Sequence, residues 1–210
     1  PENIRDYCRM VDEAGLHTVI VGHGNGLGAS SLQVGLSLLD DREMLRIARE
    51  NLQHTRLGTL LIPGFGTIHD DIIPAIEEGA DLFCVAAHCT EADVTRQHIE
   101  FISRKDKEVY GILMMYHMAP RERILEEARK MQSYGAKGVI IMDSAGASTP
   151  ELVQETISTL TDELDVAIGF HSHNNIGLGV SNAYTAIKAG ASIIDGTIRG
   201  FGAGAGNCQL

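Results

Sequence analysis

A chain of 210 residues with 44% hydrophobic side chains can bury a core of domain size, and its net charge of −11, with no clustered basic residues, argues against a nucleic-acid surface. The longest apolar runs are strand-sized, so no transmembrane span is expected, and the N-terminus lacks the basic and apolar regions of a signal peptide. Four cysteines, Cys8, Cys84, Cys89 and Cys208, form neither a CxxC pair nor a small-scaffold framework, which points to reduced thiols in a cytoplasm.

The chain opens with an amphipathic stretch, residues 2–14, closed by Gly15. Seven strand candidates follow, beginning near Thr18, Arg56, Leu82, Val109, Gly138, Val166 and Ser192. Most are continuously apolar, as in a parallel sheet covered by helices. Helical stretches at 42–54, 70–78, 92–104, 121–134, 151–164 and 178–189 separate them, and Gly79, Gly135 and Gly190 close helices as Gly15 does, where a left-handed residue is needed. Ser148-Thr149-Pro150-Glu151 reads as a capping box with proline near the helix start.

The first two strand starts lie 38 residues apart and the others 26 to 29. Uninterrupted strand–helix units of this length predict an α/β fold of the (β/α)8 TIM-barrel type, with about seven of eight strands present. A doubly wound sheet is the rival, but it does not normally need seven such even units. An eighth strand is expected upstream of Pro1, so residues 1–210 are read as one barrel domain, incomplete at both ends. The long first gap holds His23-Gly24-Asn25-Gly26-Leu27-Gly28, which lacks the GxGxxG spacing and the downstream acid of a dinucleotide loop.

The sixth strand ends in Phe170-His171-Ser172-His173-Asn174-Asn175. Alternation along a strand places His171 and His173 on one face, opposite Ile168 and Phe170, and paired nitrogen donors suit a divalent metal. The bland alternative is one structural and one surface histidine. Candidates for a third ligand are Asp143, Asn207, His23 and His88, with Asp143 equally able to cap its loop or orient a ligating histidine. The glycine-rich run 202–206 after the last strand fits either an anion cradle or tight packing. Cys89 is a weaker nucleophile candidate, Thr90 with Asp93 reads as a helix cap, and the Met-rich run 113–118 reads as barrel filling.

Several stretches together resemble the bacterial 4-hydroxy-2-oxovalerate aldolases, within the barrel superfamily that includes hydroxymethylglutaryl-CoA lyase. They are residues 23–31, His88-Cys89-Thr90-Glu91-Ala92-Asp93-Val94, Leu113-Met114-Met115-Tyr116-His117-Met118, Met142-Asp143-Ser144-Ala145-Gly146, the His171–Asn175 run and Gly202-Ala203-Gly204-Ala205-Gly206-Asn207. The resemblance implies a class II aldolase that cleaves 4-hydroxy-2-oxo acids such as 4-hydroxy-2-oxopentanoate to pyruvate and an aldehyde, typically acetaldehyde. It implies Mn2+ as cofactor, with Mg2+ or Co2+ as alternatives, held by His171 and His173, with Asn207 as a further ligand candidate. Ser144 and His171 match substrate-contacting positions. An acylating acetaldehyde dehydrogenase is the implied partner, with neither nucleic acid nor membrane.

The family's metal-ligating aspartate, enolate-stabilising arginine and base histidine are expected upstream of Pro1, and its active-site tyrosine downstream of Leu210. No catalytic residue is therefore assigned within the chain, and the segment alone is expected to be inactive and to self-associate through exposed strand edges. Ala145, Asn174 and the Cys208-Gln209 end depart from the family pattern. A Claisen-type acyl-CoA lyase or synthase of the same superfamily, or a non-catalytic barrel scaffold, are the alternative readings.

Overall fold

Every apolar run becomes a strand in the computed structural model, which describes residues 1–209: β1 (Thr18–Ile20), β2 (Arg56–Leu61), β3 (Leu82–His88), β4 (Glu108–Met114), β5 (Gly138–Asp143), β6 (Ala167–Ser172) and β7 (Ile193–Asp195). Leu210, the end of the expected domain, lies outside the described residues. The strands follow one another in the sheet in chain order, and a sequential order excludes a doubly wound sheet, whose order reverses at a switch point. The helices between them are α1 (Glu2–Glu13), α2 (Asp41–Asn51), α3 (Ile73–Glu77), α4 (Arg96–Arg104), α5 (Arg121–Ser133), α6 (Pro150–Glu163) and α7 (Gly179–Lys188). This is the α/β TIM-barrel type of fold, with seven parallel strands among the described residues. No helix among those residues is long and apolar enough to cross a membrane.

The chain divides into two compact units, the division falling within β3, α4 and β4. In the first unit, Pro1–Val85 with Phe101–Val109, β1 pairs with β2 so that Thr18 stands beside Arg56. Asp12 of α1 gathers the loop before β2, its Oδ1 accepting the backbone N–H of Gln53, His54 and Thr55 at 3.1, 2.8 and 2.7 Å. The glycine-rich loop lies against β2, where Leu27 N–H donates to Leu60 O, and a Cβ on Gly26 would stand 2.6 Å from that oxygen. Its glycines therefore serve close backbone approach. The helix expected over 70–78 is shorter, because a single wide turn, Ile68–Ile72, precedes α3.

The second unit, Ala86–Glu100 and the chain from Tyr110 onward, contains β5, β6 and β7 in parallel register. Ile168 and Phe170 are 2% and 1% exposed, and Phe170 meets the Tyr116 ring edge-on at 6.3 Å between centroids. Gly135 and Gly190 close α5 and α7 at φ +105° and +106°, which a residue with a Cβ rarely adopts. Two caps fall elsewhere than expected. Thr149, not Ser148, caps α6 by accepting Leu152 N–H, while Ser148 is buried and donates its own N–H to Asp143 Oδ2. Thr90 does not cap the next helix, since its hydroxyl bonds the His88 ring at 2.9 Å. That helical start is instead held by Glu127 of α5, fully buried, whose Oε2 accepts Ala92 N–H at 2.8 Å.

Candidate functional site

Register explains how the site assembles. Parallel pairing sets Met142, His171 and Asp195 side by side across β5, β6 and β7, so their side chains rise from one face. His171 Nδ1 hydrogen-bonds the Asp195 carboxylate, and its Nε2 lies 3.1 Å from Asn207 Oδ1. Two residues on, the His173 ring stands 5.1 Å from that of His171, and an isolated bridge joins the His173 and Asn207 backbones. The structure thus brings together His171, His173 and Asn207, all expected from sequence, and adds Asp195.

The orientation of Asn207 is fixed by its own amide, because Nδ2 donates to Phe201 O at 3.1 Å and so turns Oδ1 toward His171. Nδ1 of His171 already faces a carboxylate. Hence Nε2 and Oδ1, both lone-pair atoms when the ring is neutral with its proton on Nδ1, point at each other, an arrangement that a cation between them would join. Burial opposes charge on His171, yet the Asp195 carboxylate, with Asn207, outweighs it and raises the pKa above the ordinary histidine value. His173 shifts the other way, lowered by burial and by the neighbouring His171.

The glycine run 202–206 serves packing. A Cβ on Gly202 would collide with Asn207 Nδ2, and one on Gly206 with Gly200 O. The amides of Ala205, Gly206 and Asn207 are spent within the loop and on Asn175, which accounts for them without an anion.

Asp143 is fully buried and caps its own loop, Oδ1 accepting Ala147 N–H at 3.2 Å and Oδ2 accepting Ser148 N–H at 3.1 Å. Each oxygen thus accepts one loop N–H, which gives Asp143 a capping role, and its charge also favours protonation of His171 and His173. Ser144 follows it, beside the end of β6, since Asp143 pairs with Ser172 and its carbonyl accepts His173 N–H. Its Oγ accepts Met115 N–H at 3.1 Å, which leaves the hydroxyl proton free to donate. His23 is absorbed in its own loop, its ring nitrogens engaging Asn25 N–H and Gly35 O. Cys89 is buried, donates to Met115 O at 3.3 Å, and has its thiol pKa pushed up by burial, the opposite of an activated thiolate.

Among the described residues no three His, Cys, Asp or Glu side chains form a metal cluster, and the candidate donors that lie together are the imidazoles of His171 and His173 with the amide oxygen of Asn207. That set fits a divalent cation. Ligand atoms about 2.1 Å from a metal sit about 3 Å apart at right angles and about 3.4 Å apart at the tetrahedral angle, and the 3.1 Å between Nε2 and Oδ1 lies within that range. Asp195 is likewise an acid ending an apolar run, Ile193-Ile194-Asp195, but only the pairing of β7 with β6 shows that it meets His171.

The HMGL-like family profile matches residues 2–210. The chain is 56% identical over 209 residues to a 4-hydroxy-2-oxovalerate aldolase of Pectobacterium atrosepticum, covering 100% of this chain and 61% of that protein. With one from Spirochaeta aurantia it is 50% identical over 208 residues, covering 99% and 61%. The chain therefore spans about three-fifths of the length of the curated relatives it matches. Among solved structures, the N-terminal domain of a putative aldolase from Bacteroides vulgatus superposes with a TM-score of 0.83 at 25% identity, covering 100% of this chain and 70% of that one. The carboxyl transferase domain of Rhizobium etli pyruvate carboxylase, at 19% identity and a TM-score of 0.72 over 82% of this chain and 32% of that one, shares the fold. By its strand order and by a profile match from end to end, the chain belongs to the HMGL-like family.

Proposed function

We propose that this chain carries the metal-binding side of an aldolase site that cleaves 4-hydroxy-2-oxo acids to pyruvate and an aldehyde such as acetaldehyde. The observation that carries the reading is the facing pair of His171 Nε2 and Asn207 Oδ1, with His173 beside them. The names of the relatives supply the substrate class.

His171, His173 and Asn207 would hold the divalent ion, with Mn2+ proposed. When bound, the ion supplies Lewis-acid stabilisation of the negative charge that C–C cleavage leaves on the pyruvate half. Ser144, anchored by Met115 N–H, donates its hydroxyl proton to a substrate oxygen. Asp143 holds the loop that presents Ser144, through its two bonds to Ala147 and Ser148. The Tyr116 phenol, whose pKa is pushed up by burial, stays neutral and is not the base for the 4-hydroxyl proton. A cytoplasmic location and consumption of the aldehyde by an acylating acetaldehyde dehydrogenase complete the proposal.

The test is pyruvate release from 4-hydroxy-2-oxopentanoate by the longest natural chain containing these residues, before and after chelation and re-addition of Mn2+. Activity that is lost on chelation, restored by Mn2+ and absent in H171A/H173A supports the reading. Release indifferent to both treatments refutes it.

A further inference from the structure

We propose that Asp195 is a positioning residue for His171: its carboxylate holds the imidazole proton on Nδ1, so that the Nε2 lone pair is presented toward Asn207 Oδ1 and His173. The affinity part of this inference rests on the metal-site reading above; the tautomer part does not.

Three observations converge. Asp195 is the in-register neighbour of His171 on the adjacent strand, so backbone pairing rather than a mobile loop sets their approach. The contact is Nδ1 to Oδ1, between a ring only 13% exposed and a carboxylate 28% exposed, which shelters it from competing water. On the other side of the ring, Asn207 cannot offer a donor, since its amide nitrogen is committed to Phe201 O and its oxygen faces Nε2.

A neutral imidazole has one N–H, and two acceptors compete for it. The carboxylate is the stronger, because a hydrogen bond to an ionised acceptor is roughly twice as strong as one to a neutral amide. The proton therefore stays on Nδ1. Free histidine prefers the opposite tautomer, with the proton on Nε2, so without Asp195 the ring would turn a donor where a lone pair is required. A carboxylate set behind a ligating histidine in this way fixes the ring and raises its basicity.

The experiment has two arms on the metal-free and Mn2+-titrated protein. Long-range 1H–15N correlation on 15N-labelled metal-free protein, at a pH where His171 is neutral, reads the tautomer directly. Wild type is expected to show an unprotonated Nε2, and an Nε2–H tautomer there overturns the proposal whatever any variant does. In D195N and D195A the proton is expected to move to Nε2, and Mn2+ affinity by EPR titration to fall roughly 10- to 100-fold, the usual cost of losing such a partner. Unchanged affinity and tautomer in both variants overturn it. H171A/H173A separates the two claims. If wild type binds no more Mn2+ than this double variant, the metal reading fails, and the tautomer still decides the role of Asp195.

Discussion

Removal of the Glu127 carboxylate should unfasten the start of the segment after β3. Glu127 is fully buried on α5, where Oε2 accepts Ala92 N–H at 2.8 Å and Oε1 pairs with Arg123 Nη2 and Lys130 Nζ, both at 2.7 Å. Arg123 in turn donates to Thr90 O at 3.1 Å, so one carboxylate organises both ends of Thr90–Ala92. Truncation to alanine leaves a buried N–H without a partner and a void the size of the lost carboxylate. Breaking a buried pair costs about 3–5 kcal/mol. The two cations are 38% and 31% exposed and can turn to water, which puts E127A near the lower end, about 3 kcal/mol. E127Q keeps the volume and an acceptor for Ala92 but loses the charge, a difference of about 1–2 kcal/mol. Urea denaturation measures the total, and amide exchange at Ala92 localises it, with protection lost in E127A and kept in E127Q. Equal losses in the two variants, or unchanged exchange at Ala92 in E127A, would refute the reasoning.

Three further outcomes follow from other parts of the molecule. Asp12 is held at about 2, chiefly by the Thr55 N–H and then those of His54 and Gln53. A depressed carboxylate adds stability above its unfolded value near 4 and loses it as pH falls toward 2. A plot of Tm against pH should therefore drop less steeply in this window for D12N than for wild type, and parallel curves would contradict the assignment. Burial raises the Tyr116 phenol, so the folded protein resists its ionisation and stability falls as pH climbs past the unfolded value near 10. Absorbance at 295 nm should show Tyr116 titrating after exposed tyrosines, with Y116F removing that last phase. Finally, G202A places a methyl group where Asn207 Nδ2 lies. Mn2+ affinity should fall roughly tenfold, with a stability loss of about 1–3 kcal/mol from the overlap, and unaltered affinity would remove Asn207 from the donor set.

Much of the fold was legible because it rests on short-range regularities. All seven strands begin within one residue of their expected positions, since a strand covered on its faces must be an unbroken apolar run and those runs are bounded by polar residues. Helix ends marked by glycine were equally plain. What escaped was capping by distant groups. Nothing local says that Glu127, 35 residues away, holds Ala92, or that Asp143 takes the Ser148 N–H and leaves the α6 cap to Thr149. A capping motif describes a side chain bonding its own helix, and here the donors were already claimed through tertiary contacts.

The site divides along the same line. His171 and His173 could be read because strand alternation is a local rule, and Asn207 because its motif is distinctive. Asp195 could not, since its role depends on which residue of β7 stands beside His171, and register is set by the whole sheet. A one-residue slip of β7 would turn Asp195 to the opposite face and leave His171 with the amide of Asn207 alone. The glycines of the last loop extend the argument. Their absent side chains look like a cradle for an anion, but Gly202 makes room for Asn207 Nδ2 and Gly206 for Gly200 O. What Gly202 leaves space for is the Asn207 side chain itself, turned so that its oxygen meets the imidazole nitrogen of His171 that faces away from Asp195.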